Sequence, residues 1–458
     1  MEIFTKDLSG VVELLSGGGA ELGEIFVEHS RSLSIVMDDG RIEKVLGGED
    51  KGIGVRVVEG GRTRYGYTNQ MSLSAAVELA KEVWGAAPGK PLALDSPRPG
   101  LSHQPITGVD EVDVSRKLEL VRAVEAAARA VGPQVRQVRV TWQERLQRVR
   151  VASSAGVDVD DQRPYVVLAV HCVASEGEVL QTGYEVVGGL GGWELMEEQD
   201  PEGAARKAAE RAVMMLRADP APGGAMPVVI SSSAGGTMIH EAVGHGLEAD
   251  LVLEGMSVYA GKLGQQVASE LVSVVDDGTL PGKRGSCAYD DEGWPTQRNL
   301  LIDRGILRGY MHERTTAARM GVAPTGNGRR ESYRHWPIPR MTNTMILPGE
   351  DEPESIIRST GEGLFVVKMG GGQVNTVTGD FVFEVAEGYL IRDGRIGPPV
   401  RGATLTGNGP RVLMEIDRVG NDLGFGLGTC GKDGQGVPVA DAQPTIRVPS
   451  LVVGGLQS

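Results

Sequence analysis

Over the first 70 positions, apolar residues alternate with polar ones in short runs rich in β-branched side chains. Runs over 25–27, 33–37, 41–46, 53–58 and 64–68 are separated by turn pairs such as Asp39-Gly40 and Gly60-Gly61, which predicts a meander of strands. A helix is predicted from about Ser72 to Val83, followed by a Pro-rich crossing over 91–105. The next helix, over 114–131, takes Asp113 as its N-cap and stops at Gly132, with Pro133 behind it. Alternation returns at Val138, Val140 and Trp142 and continues over 149–152, 165–174 and 179–187, again predicting strands. Asp200 as a cap and Pro201 at the first helical position open a third helix that runs to about Leu216.

Segment 219–227 holds three Pro and two Gly and reads as a linker. Beyond about residue 250 helix signals are rare, and strand-like runs dominate over 302–310, 364–369, 376–385 and 411–419. The pattern predicts an α+β fold in two domains, 1–220 and 221–458, each with antiparallel or mixed sheets and few helices. The second is expected to be Gly-rich and β-dominated.

Composition narrows the partners. Gly accounts for 66 of 458 residues, about twice ordinary usage, which implies many turns and close backbone approaches. The balance of 46 Lys+Arg against 61 Asp+Glu leaves a net charge of −15, and only 6 Phe, 9 Tyr and 5 Trp are present. Neither a basic face for phosphates nor a stacking surface is available, so no nucleic-acid partner is expected. No apolar stretch reaches the length of a membrane span, and the opening MEIFTKDLSG lacks the pattern of a secretory signal. Three scattered cysteines, Cys172, Cys287 and Cys430, form no disulfide framework and suit a reducing, cytoplasmic setting.

One constellation carries chemistry. A strand over 228–230 feeds a Ser-rich cap and then a helical stretch with His240, Glu241, Gly244 and His245, a His-Glu-x-x-x-His motif. Histidines at i and i+4 lie about 40° apart around a helix, whereas i and i+5 lie about 140° apart and could not share an ion on a regular one. Either a π-type bulge or termination at Gly244 in a left-handed conformation would bring them together. Termination is the expectation, because Gly244 directly precedes His245. Two neutral imidazoles can hold a divalent metal, and Glu241 beside them can take a proton from the water that the ion polarises. Ordinary helix-end residues are the alternative reading.

A catalytic metal usually keeps three protein ligands, and this motif supplies two. Asp250, Asp291, His312, His335 and Cys430 are candidates for the third on chemistry alone. Cys430 has six glycines among residues 424–436, which let the backbone approach closely. Cys172 and Cys287 read as packed core residues. Gly370-Gly-Gly372 lacks the context of a phosphate loop. Arg329, Arg330, Arg334 and Arg340 read singly as solvated loop residues and together as a possible contact for a substrate carboxylate.

His240-Glu-Ala-Val-Gly-His-Gly-Leu-Glu-Ala-Asp250 resembles the HExxxH signature of the TldD/PmbA family, in its TldD-type branch. The similarity continues in order through Asp290-Asp-Glu-Gly-Trp-Pro-Thr-Gln-Arg298, Thr325-Gly-Asn-Gly-Arg-Arg-Glu-Ser-Tyr-Arg-His335 and Pro337-Ile-Pro-Arg-Met-Thr-Asn343. It extends to Met369-Gly-Gly-Gly-Gln-Val374 and Gly428-Thr-Cys-Gly-Lys-Asp-Gly-Gln435. The resemblance implies a metallopeptidase that cleaves unfolded or extended peptides in an enclosed cavity. It implies His240, His245 and Cys430 as ligands of one divalent ion, zinc or alternatively iron, and Glu241 as general base. It also implies a homodimer or a heterodimer with a TldE (PmbA)-type subunit. A metal-dependent amidohydrolase of a modified small molecule and an idle peptide-binding partner subunit are the alternatives. The second of these would lack His240 or Glu241, and both are present.

Overall fold

Runs that the sequence pattern separates join into long strands. The computed structural model describes residues 2–101 and 107–455, so positions 102–105 of the Pro-rich crossing lie outside the described residues. Strands Leu22–Asp38, Arg41–Glu59, Arg62–Thr68, Val135–Ser153, Val157–Glu176 and Val179–Leu190 form one antiparallel sheet, in the spatial order third, second, first, fourth, fifth, sixth. The polar gap at 47–52 stays in register with residues 28–33 of the neighbouring strand, so the ladder continues where the apolar pattern lapses. Asp39 and Gly40 both take positive φ, 50° and 80°, the geometry of a tight hairpin that matches strand twist.

Helices cover one face of this sheet towards its two ends, while Phe26, Val149, Val151, Val157 and Val159 of the other face pack on Ala288, Tyr289 and Tyr333 of the C-terminal half. Ser9–Ser16, which the pattern does not predict, and Leu73–Val83 pack on Ile25, Val27, Ile53, Val55 and Val57. Val114–Arg129 and Pro201–Met215 bury Val121, Val124, Ala205 and Ala208 against Val138, Val140, Trp142 and Cys172. Asp200 caps the latter helix, accepting from Gly203 N at 2.9 Å. Asp113 stands at the N-cap of the former but makes no capping hydrogen bond.

Among the described residues the C-terminal half contains two large sheets and a two-stranded one that pairs Gly328–Arg329 with Ile338–Pro339. Gly363–Val374, Gly224–Ile230, Ile446–Gly454, Thr404–Asn408 and Asp380–Arg392 pair in succession, and the last pairs back with the first to close a barrel. A six-stranded mixed sheet includes Val274–Asp277, Asn343–Ile346, Gln435–Gln443 and, at its edge, Gly424–Lys432. Strand residues outnumber helical ones, 44% to 23%, so the fold is α+β with antiparallel and mixed sheets. Among the described residues no helix is long and apolar enough to cross a membrane.

Three expectations change. Segment 219–227 is no free linker: Asp219–Pro220 pairs with Arg395–Arg401, and Gly224 begins a barrel strand. The run at 411–419 is mostly the helix Gly409–Glu415, started by Pro410 in its first turn and by Asn408, which accepts from Arg411 N. Of the arginine cluster only Arg334 is solvated, as expected; the other three are not. Arg329, Arg330 and Arg340 are buried, and Arg334 pairs with Asp50. Much of this cluster lies in a polar seam between the two halves. There Arg330 donates to Glu24, Arg163 donates to Asp291 at 2.7 Å, and Tyr65 Oη donates to Tyr333 O at 2.7 Å.

Candidate metal centre

Strand Gly224–Ile230 leads into Ser231, whose Oγ accepts from Ser233 N, and then into the short helix Thr237–Ile239. The next turn, His240–Gly244, is widened: His245 N donates to His240 O, five residues back. Such π-type winding puts residues five apart on one face, so the bulge brings the imidazoles together and termination does not. Gly244 is helical, at φ −53° and ψ −57°. Its small size serves packing instead, because a Cβ there would meet Met341 Sδ at 2.0 Å. The apolar side of this segment, Met238, Ile239, Val243 and Leu247, is buried in the C-terminal core and fixes the helix in place.

Cys430 arrives from the edge strand Gly424–Lys432, and the buried Arg340 guanidinium clamps its hairpin by donating to Cys430 O and to Gln435 O of the following strand. Cys430 Sγ lies 3.4 Å from His245 Nε2. The ligand atoms of His240, His245 and Cys430 all fall within 4.8 Å of one another. Among the described residues no other cluster of three such donors gathers this closely. The rivals are engaged elsewhere. Asp250 accepts from Lys432 at 2.7 Å, and Asp291 pairs with Arg163. His312 sits against Thr316, and His335 against Ser332.

The electrostatics favour a thiolate here. Burial opposes it, but hydrogen bonds and charge from His240 and His245 win and pull the Cys430 thiol down to about 5. Burial instead pushes Cys172 up to about 11 and Cys287 up to about 12, as expected for inert packed thiols. Sequence reasoning missed the supporting groups. Glu248 Oε2 lies 2.9 Å from His245 Nδ1, and Lys432 Nζ is 3.1 Å from the same oxygen. Glu248 is three residues after His245, a spacing that could have flagged it. Asp441 accepts from Gly236 N at 2.9 Å and stands 4.0 Å from His240 Nδ1, an atom buried without a hydrogen-bond partner. Strand pairing alone brings Asp441 there. Two imidazole nitrogens, a thiolate and carboxylates behind the rings suit a borderline-soft divalent ion.

His240 and the half-buried Glu241 line a cavity of about 810 Å³. Gly370, Gly371 and the edge strand at Gly426–Thr429 supply one part of its wall, and His171, Tyr184 and Arg211 of the N-terminal half supply another. The site thus lies between the two halves of the chain.

With this geometry, the comparisons define a class. Residues 23–87, 108–216 and 223–455 match, in turn, PmbA/TldA metallopeptidase domain 1, the central domain and the C-terminal domain. The chain belongs to the PmbA/TldD metallopeptidase family. It is 38% identical to the metalloprotease TldD homolog of Haemophilus influenzae, over 98% of this chain and 96% of that one. It is 35% identical to a metalloprotease of Methanothermobacter thermautotrophicus, over 99% and 100% of the two chains. The fold matches TldE from Thermococcus kodakarensis with a TM-score of 0.77 at 19% identity, covering 95% and 97%. A solved protein of Thermotoga maritima gives 0.80 at 22%, covering 94% and 96%.

Proposed function

We propose that this chain is a metal-dependent peptidase that hydrolyses unfolded or extended peptides within the cavity between its two halves. The carrying observation is the gathering of His240, His245 and Cys430 within 4.8 Å, on the widened turn that also presents Glu241 to the cavity. In this reading the three side chains hold one divalent ion, zinc by the nitrogen and sulfur donor set, with iron the alternative. When bound, such an ion supplies Lewis acidity towards a carbonyl and lowers the pKa of water. Glu241 takes the proton of the attacking water and delivers it to the leaving nitrogen. The edge of strand Gly424–Lys432 borders the cavity and offers backbone groups to an extended chain, a mode with loose side-chain selectivity. Residues 1–220 and 221–458 act as two domains, the second bearing the chemistry and the first closing the cavity.

The assembly is proposed to be a homodimer or a heterodimer with a TldE-type subunit, since TldE shares this fold. The three cysteines are free, which supports a cytoplasmic setting. Digestion of a peptide library, read by mass spectrometry, tests the function together with Glu241→Gln. Turnover should drop about 10²–10⁴-fold while metal content stays at one equivalent. Equal turnover by the variant refutes Glu241 as base, and no cleavage by the parent refutes the peptidase.

A further inference from the structure

We infer that Arg401 anchors a substrate carboxylate in the cavity that contains His240 and Glu241, an inference that rests on the peptidase reading above. Two other cationic side chains line this cavity, and both are neutralised. Arg211 donates to Glu185 at 2.7 Å and to Glu387 at 2.6 Å, while Lys368 donates to Glu185 at 3.1 Å. Arg401 differs. Its backbone carbonyl accepts from Ala221 N at 2.9 Å, which fixes the end of its strand. Among the described residues its guanidinium forms no hydrogen bond or ion pair, and its Nε is buried without a partner.

The Nε is closed off from solvent, but the two Nη atoms have no partner among the described residues and are not closed off, so they are the donors that an occupant of the cavity can meet. Glu384 lines the same cavity but is exposed to solvent and makes no ion pair with Arg401. Among the described residues, Arg401 is thus the cavity-lining guanidinium or ammonium without a carboxylate partner. A planar guanidinium matches a carboxylate in bidentate fashion better than it matches a neutral amide. An extended peptide carries carboxylates in two places, its C-terminus and its Asp or Glu side chains. Arg401 would turn backbone-led binding, otherwise indifferent to sequence, into a preference for one of them.

One peptide sequence made as the C-terminal acid, as the amide, and as amides with Glu placed at successive positions separates these sources. Parent, Arg401→Gln and Arg401→Lys proteins are compared by kcat and KM for each peptide. The parent should favour a carboxylate-bearing form over the plain amide by about 10- to 100-fold in kcat/KM, mostly through KM, the range for a hydrogen bond to a charged group. That ratio should collapse towards one in Arg401→Gln and recover in part in Arg401→Lys. Preference for the acid assigns the terminus, and preference for a Glu-bearing amide assigns a side chain. A parent that treats all forms alike overturns the anchor without any variant having to fold, and so does an Arg401→Gln protein that keeps the preference. Fluorescence anisotropy of the labelled peptides on Glu241→Gln protein repeats the comparison without turnover. Selective binding there, with no cleavage by the parent, would uphold the anchor and sink the peptidase, and unselective cleavage would do the reverse.

Discussion

Glu248 Oε2 stands 2.9 Å from His245 Nδ1 and 3.1 Å from Lys432 Nζ, at a site with no solvent exposure. Burial pushes its carboxyl up, but His245 and Lys432 outweigh that and pull it down to about 2, so it stays charged. A carboxylate behind an imidazole fixes the ring's tautomer and aim, here leaving Nε2 towards Cys430. Lys432 follows Cys430 by two positions on the same strand, so one hairpin delivers both the thiolate and the counter-charge.

Glu248→Gln should therefore weaken metal binding by about 10- to 100-fold, the usual cost of losing a partner behind a ligand. The measurement is a competitive chelator titration, backed by the absorption spectrum of the cobalt-substituted protein. A variant with parental affinity and an unchanged spectrum would show that Glu248 merely fills space.

Cys430→Ser should lose the ion or bind it much more loosely, because an alcohol is a poor ligand beside a thiolate. Cys172→Ser and Cys287→Ser should retain it wherever they fold, both being buried thiols held protonated. Elemental analysis after gel filtration distinguishes these outcomes. One tightly held equivalent in Cys430→Ser would hand the third position to another residue.

How much of this centre is legible in the sequence depends on chain distance. His240, Glu241 and His245 share one short motif, so their meeting can be posed as a helix problem. Its solution is not legible, because the widened turn and a terminated one both satisfy the spacing. Only the packing of Gly244 on Met341, 97 positions away, decides between them. Asp441 and Arg401 come to the site through sheet pairing, which leaves no local signature. The same holds for the arginines at 329, 330 and 340. Charged residues in a Gly-rich stretch read as solvated until Glu24 and the backbone carbonyls they meet are known. Strand existence is legible from alternation, but strand length is not, since edges such as 47–52 are held by backbone ladders that apolar patterning does not record.

Gly244→Ala tests that packing. A methyl group would overlap Met341 Sδ, and Met341 is fully buried with little room to retreat. Overpacking of this kind costs about 1–3 kcal/mol, against a gain of about 1 kcal/mol in helix propensity. A lower Tm and weaker metal retention are expected, with both recovering in the Gly244→Ala, Met341→Val double variant. If Gly244 needed a left-handed backbone, trimming Met341 would restore nothing, and that result would reinstate the terminated helix.

The seam between the halves gives the last prediction. Asp291 accepts from Arg163 Nη1 at 2.7 Å and from Arg330 N at 2.8 Å, with both arginines buried. Burial alone would raise its carboxyl, but the two guanidinium charges hold it below the usual carboxylate range. Asp291→Asn leaves Arg163 with Asp161 as its remaining carboxylate at 2.9 Å, and breaking a buried pair costs about 3–5 kcal/mol. Because one partner remains, the lower end of that range is expected, seen as a shifted urea midpoint at pH 7. The sign of the pH dependence follows from the depressed folded value. The contribution is complete above the ordinary carboxylate pKa of about 4 and is lost as pH falls through the lower folded one. Parent and variant should thus differ by a constant amount from neutrality down to about pH 5, and the gap should narrow below about pH 4. A gap that persists undiminished at about pH 2 would mean that Asp291 acts through its shape and neutral hydrogen bonds, and that the charge pair contributes nothing to holding the halves together.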